Sequence, residues 1–305
     1  MTALFQCVPN FSEGRRPEVI AAIAEAIASA PGVQLIDYSA DADHNRSVMT
    51  FLGSAEGIRA AVLAAARVAV ACIDLRTHSG AHPRTGAIDV VPVIPLRNAS
   101  REDAIALAHD VGADLARELA LPIYFYEWAA RPGRPHSLPD VRRGGFEAFV
   151  SALLSDERAP DLGPPIAHPT AGVAIVGARG PLIAYNILLS TPDVEIASAI
   201  ARRIRQERHH RPELEGVRAL GLYLPSQHRA QVSLNLTRPD RTPLPAVFAF
   251  VEQEAARLGA SAVESEIIGA IPQAALGGQP PEAIRWHAYN PHQILETWLQ
   301  NKNTD

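Results

Sequence analysis

The stretch Val33-Gln-Leu-Ile-Asp-Tyr-Ser-Ala-Asp-Ala-Asp-His-Asn-Arg-Ser-Val-Met-Thr-Phe-Leu52 has strand-forming residues at both ends and a polar middle. It reads as a strand over 33–38, a polar loop over 39–46 and a second strand over 47–52. Both flanks are helical. Pro17 opens a run to about Ala28 with Ile20, Ile23 and Ile27 on one stripe, and Gly32 ends it. On the other side Ser54 caps a segment whose Ile58, Val62, Ala65, Ala69 and Ile73 share one buried face. Strands over 4–8 and 88–94 complete the set. The order is β-α-β-β-α-β, that of a split βαβ unit.

Further along, Ser100 caps a helix with Ile105, Ala108, Gly112, Leu115 and Leu119 as its stripe, and 122–126 adds a strand. The segment 131–170 is richer in Pro, Gly and Arg and reads as a connector packed on the surface, with one amphipathic piece over 146–154. The second half then repeats the first. Strands are expected over 174–176 and 182–189, and Thr191-Pro192 starts a helix to about Glu207. A strand pair covers 217–224 and 230–236, Thr242-Pro243 starts a helix to Leu258, and 262–271 is a strand. Asn290-Pro291 begins a last helix with Ile294, Leu295 and Trp298 on its apolar side. The fold class is therefore α/β (α+β): two ferredoxin-like βαββαβ sandwich subdomains with a ligand groove between them. The expected domains are 1–170, which includes the connector, and 171–305.

At 305 residues, with 47% apolar and 20% charged, the chain has ordinary globular composition and length for two domains. A net charge of -5 argues against general nucleic-acid affinity. Lys302 is the only lysine, so arginine carries the positive charge, and its planar fork suits carboxylates. Cys7 and Cys72 have no ligand spacing, and Met1-Thr-Ala-Leu-Phe is no secretory signal. A cytoplasmic protein is expected. No apolar run reaches the ~18 residues that a membrane span needs, and Arg67 interrupts the alanine-rich segment around it. The chain has no GxGxxG and no P-loop, which argues against those nucleotide enzymes.

Its chemistry concentrates in His78-Ser-Gly-Ala-His-Pro-Arg-Thr-Gly-Ala-Ile-Asp89. His78 and His82 stand four apart, the spacing of two metal ligands on a helix face. Gly80 between them and Pro83 after them place His82 in an extended or turn conformation instead. A polar loop held by glycine and proline at the mouth of a strand is a common place for catalytic groups. In Val8-Pro-Asn-Phe-Ser-Glu-Gly14, Asn10, Ser12 and Glu13 either bind an anion at the helix start or cap it. Asp37, Asp41, Asp43, His44, Asn45 and Arg46 crowd the loop of the opening stretch, as a turn or as part of the site. Gly163-Pro-Pro-Ile-Ala-His-Pro-Thr-Ala-Gly172 is a stiff loop or a ligand contact.

Together with Asp43-His-Asn-Arg-Ser47, Phe125-Tyr-Glu-Trp-Ala-Ala130, Gly177-Ala-Arg179, Tyr185-Asn186, Ala230-Gln-Val-Ser-Leu-Asn-Leu236 and Ser265-Glu-Ile-Ile-Gly269, these motifs resemble the glutamate formiminotransferase family, in order along nearly the whole chain. The resemblance implies two α/β subdomains around a folate groove, a homodimer, tetrahydrofolate as co-substrate, no metal, and small-molecule partners (folate, formiminoglutamate or glutamate) without nucleic acid or membrane. It makes His82 the catalytic base. Asn10, Asp41, Asp43, Asn45, Arg46, His78 and Arg84 become candidate substrate contacts. Gly163, Pro164, Pro165, Ile166, Ala167, His168, Pro169, Thr170, Ala171, Gly172, Arg179 and Asn186 become candidate folate contacts. Three positions depart from the family pattern: Ser39 stands where vertebrate-type members carry an acid, Gly180 where a basic residue is frequent, and Leu188 where an asparagine is usual. The bifunctional members continue into a cyclodeaminase domain, and a monofunctional form is expected here.

The implied reaction moves an amidine carbon between N5 of tetrahydrofolate and the amine of glutamate, which attacks only when neutral. Histidine, ordinarily near ~6.5, suits the proton transfer. His82 is expected to take the proton from the attacking amine and help deliver one to the departing nitrogen, with Asp41 or Asp43 orienting it and Arg84 clamping a carboxylate. Three other readings stay open: a 5-formyltetrahydrofolate-dependent glutamate formyltransferase, a metal-dependent hydrolase using His78, His82 and Asp89 or Asp74, and a folate-binding module without catalysis.

Overall fold

The computed structural model describes residues 2–152 and 158–300. The chain divides into two units, Met1–Gly180 and Pro181–Asp305. The first begins with β1 (Leu4–Cys7), β2 (Asn10–Phe11), α1 (Pro17–Ala28), β3 (Val33–Asp41), β4 (Arg46–Gly53) and α2 (Ala55–Cys72). It continues with β5 (Ile88–Arg97), α3 (Arg101–Leu119), β6 (Ile123–Glu127), α4 (Leu138–Val141), α5 (Gly145–Ala152) and β7 (Ala174–Ala178). Within it the strands form one sheet. β3 pairs with β4, β4 with both β1 and β2, and these two with β5, all antiparallel. β1 and β2 act as one strand interrupted at Pro9, which has no N–H to give the ladder; its carbonyl still accepts from Met49 N at 3.0 Å.

Helices α1, α2 and α3 bury their stripes on one sheet face, where Ile23, Ile27, Ile58, Val62 and Val111 pack with Phe5, Phe11, Phe51 and Val93. The caps are those expected: Ser54 Oγ accepts from Gly57 N, and Ser100 forms a reciprocal capping box with Asp103. On the opposite face Val141, Phe149 and Ala167 bury Val90, Tyr124, Tyr126 and Ile175. Segment 131–170 is thus more than a surface connector, because it supplies half of a second apolar layer. Of the amphipathic piece expected over 146–154, positions 153 and 154 lie outside the described residues.

The second unit holds β8 (Ile183–Leu189), α6 (Val194–Glu207), β9 (Val217–Leu224), β10 (Arg229–Leu236), α7 (Leu244–Arg257), β11 (Ala262–Ile268) and α8 (Leu295–Gln300). Its antiparallel sheet runs β11-β8-β10-β9. From β8 to β11 the order is β-α-β-β-α-β, as expected. Ile200, Ile204, Val247 and Val251 of the helices pack on Tyr185, Ile187, Val232 and Leu234.

Four expectations need correction. The boundary expected at 170/171 falls at 180/181, because β7 does not open the second half: it lies parallel between β5 and β6 and completes the first sheet. The loop expected over 39–46 shrinks to 42–45, since pairing of β3 with β4 runs on to Asp41 and Arg46; the polar side chains lie on a strand's wet face. Helix α6 is capped by Asp193, whose side chain accepts from Glu195 N, and begins after Thr191-Pro192. After Asn290, 291–293 form a 3-10 turn before α8, with the Asn290 side chain accepting from His292 N.

Candidate active site

Three loops of the first unit are tied together by one asparagine. Asn45, with φ +49, sits in the left-handed turn between β3 and β4 that asparagine tolerates. Its Oδ1 accepts from Gly14 N at 2.9 Å and its Nδ2 donates to Ser79 O at 2.9 Å. Its carbonyl accepts from His78 Nε2 at 3.0 Å, and Ala81 N donates to Asp43 O at 3.0 Å. Close approach requires glycine at the seams. A Cβ on Gly80 would lie 2.3 Å from the His44 carbonyl oxygen, and one on Gly14 would lie 2.2 Å from that of Asp41. His78 therefore ties the loop down from within, and burial holds its imidazole below the ordinary histidine range.

His82 lies at the far end of this stitched loop. Its Nε2 is 2.7 Å from Arg46 Nη1. A guanidinium has only donors, so Nε2 is the acceptor and the ring is neutral. Burial, then Arg46, Arg142 and His44, push its pKa down to about 2, and a bond to the Pro83 backbone offsets only part of this. Arg46 itself is lowered by burial and by Arg142. Arg142 Nη2 donates to Asp89 Oδ2 at 2.8 Å, and Asp89 Oδ1 accepts from Thr85 N at 2.7 Å, Thr85 Oγ1 at 2.5 Å and Gly86 N at 3.2 Å. The side chains of Arg142 and Asp89 are only 14% and 3% exposed, so this is a buried pair at the entrance to β5.

The other residues expected at the site fall in several places. Asp41 accepts from His44 N at 2.8 Å and lies 3.5 Å from His44 Nδ1, so its carboxylate is engaged with His44, whose ring centroid is 6.1 Å from that of His82. Arg84 pairs with Glu147 at 2.8 Å and stacks 5.8 Å from the Phe146 ring centroid. Asn10 donates to Val8 O at 3.1 Å, within its own turn. Buried Glu13 accepts from Arg15 N and Arg16 N at the start of α1; burial would raise its pKa, but these N–H groups and the Arg16 guanidinium hold it below the usual range.

Loop 163–172 runs beside the end of the His82 loop. Gly172 bridges Gly86, Ala87 N donates to Ala171 O at 2.8 Å, and Val173 N donates to Thr85 O at 3.0 Å. Within it His168 Nδ1 accepts from Ala171 N at 3.1 Å, while Ile166 is 64% exposed. Arg179 lies farther along the sheet, where its N donates to Val93 O and its guanidinium meets Tyr126 and Gly180 O. Asn186 is in the second unit, on β8, donating to Glu266 Oε2 at 3.4 Å. Among the described residues no three His, Cys, Asp or Glu side chains converge as a metal site, and no helix is long and apolar enough to cross a membrane.

Sequence reasoning missed Arg142, and weighed Asp89 only as a metal ligand. The pair is 53 residues apart in the chain. Arg142 sits just after the short helix α4 in a Gly- and Arg-rich stretch with no periodicity to mark it.

A neutral imidazole against one guanidinium and within the field of a second, at a strand mouth on an α/β scaffold, is a candidate site for an enzyme. The formiminotransferase domain, N-terminal subdomain, matches residues 4–179, and the formiminotransferase domain matches 184–279. The chain is 38% identical over 300 residues to the glutamate formimidoyltransferase of Streptococcus pyogenes serotype M1, covering 98% of this chain and 99% of that protein. It is also 38% identical over 301 residues to the glutamate formimidoyltransferase of Thermoplasma acidophilum, covering 98% of each. The formimidoyltransferase-cyclodeaminase of Gallus gallus is 42% identical over 280 residues, which are 90% of this chain and 51% of that protein. The chain belongs to the formiminotransferase family.

Proposed function

We propose that this protein transfers the formimino group of N-formimino-L-glutamate to tetrahydrofolate, giving glutamate and 5-formiminotetrahydrofolate, a step of histidine degradation. The observation that carries the reading is the neutral His82 ring beside Arg46 and Arg142, within the motif that marks the family's base. Tetrahydrofolate, as co-substrate, supplies the N5 nucleophile. As the bond from N5 to the amidine carbon forms, N5 must lose its proton; as the bond from that carbon to the glutamate nitrogen breaks, that nitrogen must gain one. In this reading His82 carries this proton from one nitrogen to the other. The guanidiniums of Arg46 and Arg142 stabilise the carboxylate end of the amino acid. Loop 163–172 offers the folate ring the exposed Ile166 close in sequence to the strand-paired Ala171 and Gly172. Asn10, Asp43, Arg84, Arg179 and Asn186 complete the reading as further contacts. A homodimer in the cytoplasm is part of it, and light scattering on the purified protein checks the dimer.

Purified protein given tetrahydrofolate and N-formimino-L-glutamate is expected to form 5-formiminotetrahydrofolate. Product only from 5-formyltetrahydrofolate and glutamate would move the reading to formyl transfer. The His82→Ala variant is expected to lose turnover by a factor of ~100 or more with folate binding nearly intact.

A further inference from the structure

In the arrangement described, His82 has no free lone pair with which to accept a proton. Nε2 accepts from Arg46 Nη1 at 2.7 Å, and the Pro83 backbone takes up the ring's other hydrogen-bonding capacity. A base whose nitrogen is capped by a guanidinium is inert until the cap leaves. The cap has its own reason to move. Arg46 Nε is buried without a hydrogen-bond partner, and so is Arg142 Nε. Side-on recognition of a carboxylate uses Nε–H together with Nη2–H; on Arg46 that edge adjoins the Nη1 that caps His82, and on Arg142 Nε–H is its unused half, Nη2 being on Asp89. Arg142 is anchored by Asp89 through Nη2, which leaves its Nε edge in place.

Buried donors without acceptors are unfavourable, and two guanidiniums that repel each other gain from an anion set between them. The acids nearby do not fill that role. Asp89 is held by Thr85 and Gly86 as well as Arg142, and Asp41 is 42% exposed and turned to His44. We propose that Arg46 and Arg142 together take one carboxylate of the amino-acid substrate, and that Arg46, in turning to it, uncaps His82 Nε2. The base is then released only when the glutamate skeleton is in place. Arg84 Nε is likewise buried without a partner, but Arg84 is left out of this cradle because it is not among the groups that act on His82. The inference rests on His82 as the base of the reaction proposed above, and Arg46 and Arg142 act in it as binding residues.

The groups facing His82 are Arg46, Arg142, His44 and the Pro83 backbone, with Asp41 and Asp89 acting on Arg46 and Asp43 on His44. A carboxylate bound between the arginines offsets the two cationic neighbours, so the His82 pKa rises in the complex, while burial still holds it below the ordinary histidine range. The probe is glutarate, a dicarboxylate with neither amine nor transferable carbon. In protein with 15N-labelled histidine, assigned by comparison with His82→Gln, the His82 ring is expected to stay neutral down to the acid limit of the folded state. With saturating glutarate it is expected to take up its proton at clearly higher pH than in the free protein. In Arg46→Gln it is expected to take up its proton at higher pH than in the unaltered protein without glutarate, still below the ordinary histidine range because the ring stays buried. Arg142→Lys keeps the charge that pairs with Asp89 and loses the fork. It is expected to raise KM for formiminoglutamate roughly 10- to 100-fold with KM for tetrahydrofolate unchanged. In the unaltered protein the acid limb of kcat is expected at higher pH than that of kcat/KM, which reports the free enzyme. If glutarate leaves His82 unmoved while His82→Ala still abolishes turnover, the uncapping is wrong and the base stands. If His82→Ala turns over normally, the base assignment itself fails.

Discussion

His82, His44 and His78 all have imidazoles held below the ordinary histidine range, each by burial first. For His82 the folded value is about 2, whereas in the unfolded chain it returns to ~6.5. Between these values the unfolded chain binds the proton and the native state does not, so stability falls as pH drops below the unfolded value. The prediction is a loss of stability between pH 7 and pH 5, part of which disappears in His82→Gln. Urea midpoints at the two pH values check this; an identical loss in both proteins would show that His82 has no share in it. At this scale the residues of the site were unequally legible. His82 could be read from the Gly80 and Pro83 that keep it off a helix. Arg142 could not, because an arginine gives no local sign of a carboxylate 53 residues away.

The loops of the site are rigid because backbone meets backbone across them. Gly80 packs against the His44 carbonyl, and an added Cβ at 2.3 Å from that oxygen forces one loop off the other. Gly80→Ala is therefore expected to destabilise the protein by about 1–3 kcal/mol, as overpacking does. It should also lower turnover more than it weakens folate binding, since the 78–82 loop carries His82 while loop 163–172 is paired separately at Thr85 and Ala87. Chemical denaturation together with turnover and folate titration tests this; a variant with unaltered turnover would show that the seam is slack. The elements themselves were legible from period and caps. Pro17 starts α1, Ser54 caps α2 and Ser100 caps α3. Their ends were less so, because the pairing that extends β3 and β4 to Asp41 and Arg46 comes from the partner strand and not from the apolar pattern.

Across the whole chain, the first sheet depends on a strand that comes late in sequence. β6 pairs with β7, and β7 links it to β5. Removing residues 171–180, and with them β7, takes Val173 and Ile175 from the second apolar layer and cuts β6 off from the sheet. A fragment ending at residue 180 is expected to unfold cooperatively, and one ending at residue 170 is expected to lose cooperativity. Circular dichroism through a urea titration compares them, and equal transitions would place the boundary back at 170. By itself the sequence determined what local physics encodes: helix stripes, caps, proline and glycine breaks, the β-α-β-β-α-β order, and a polar loop around His82 held by glycine and proline. Only the tertiary structure decided that β7 belongs to the first sheet, that Asp41 turns to His44, and that Arg142 is anchored by Asp89 beside His82. The reason is physical. Hydrophobic period and turn chemistry act over a few neighbouring residues, whereas strand insertion and buried ion pairs are selected by partners that only chain folding brings within reach.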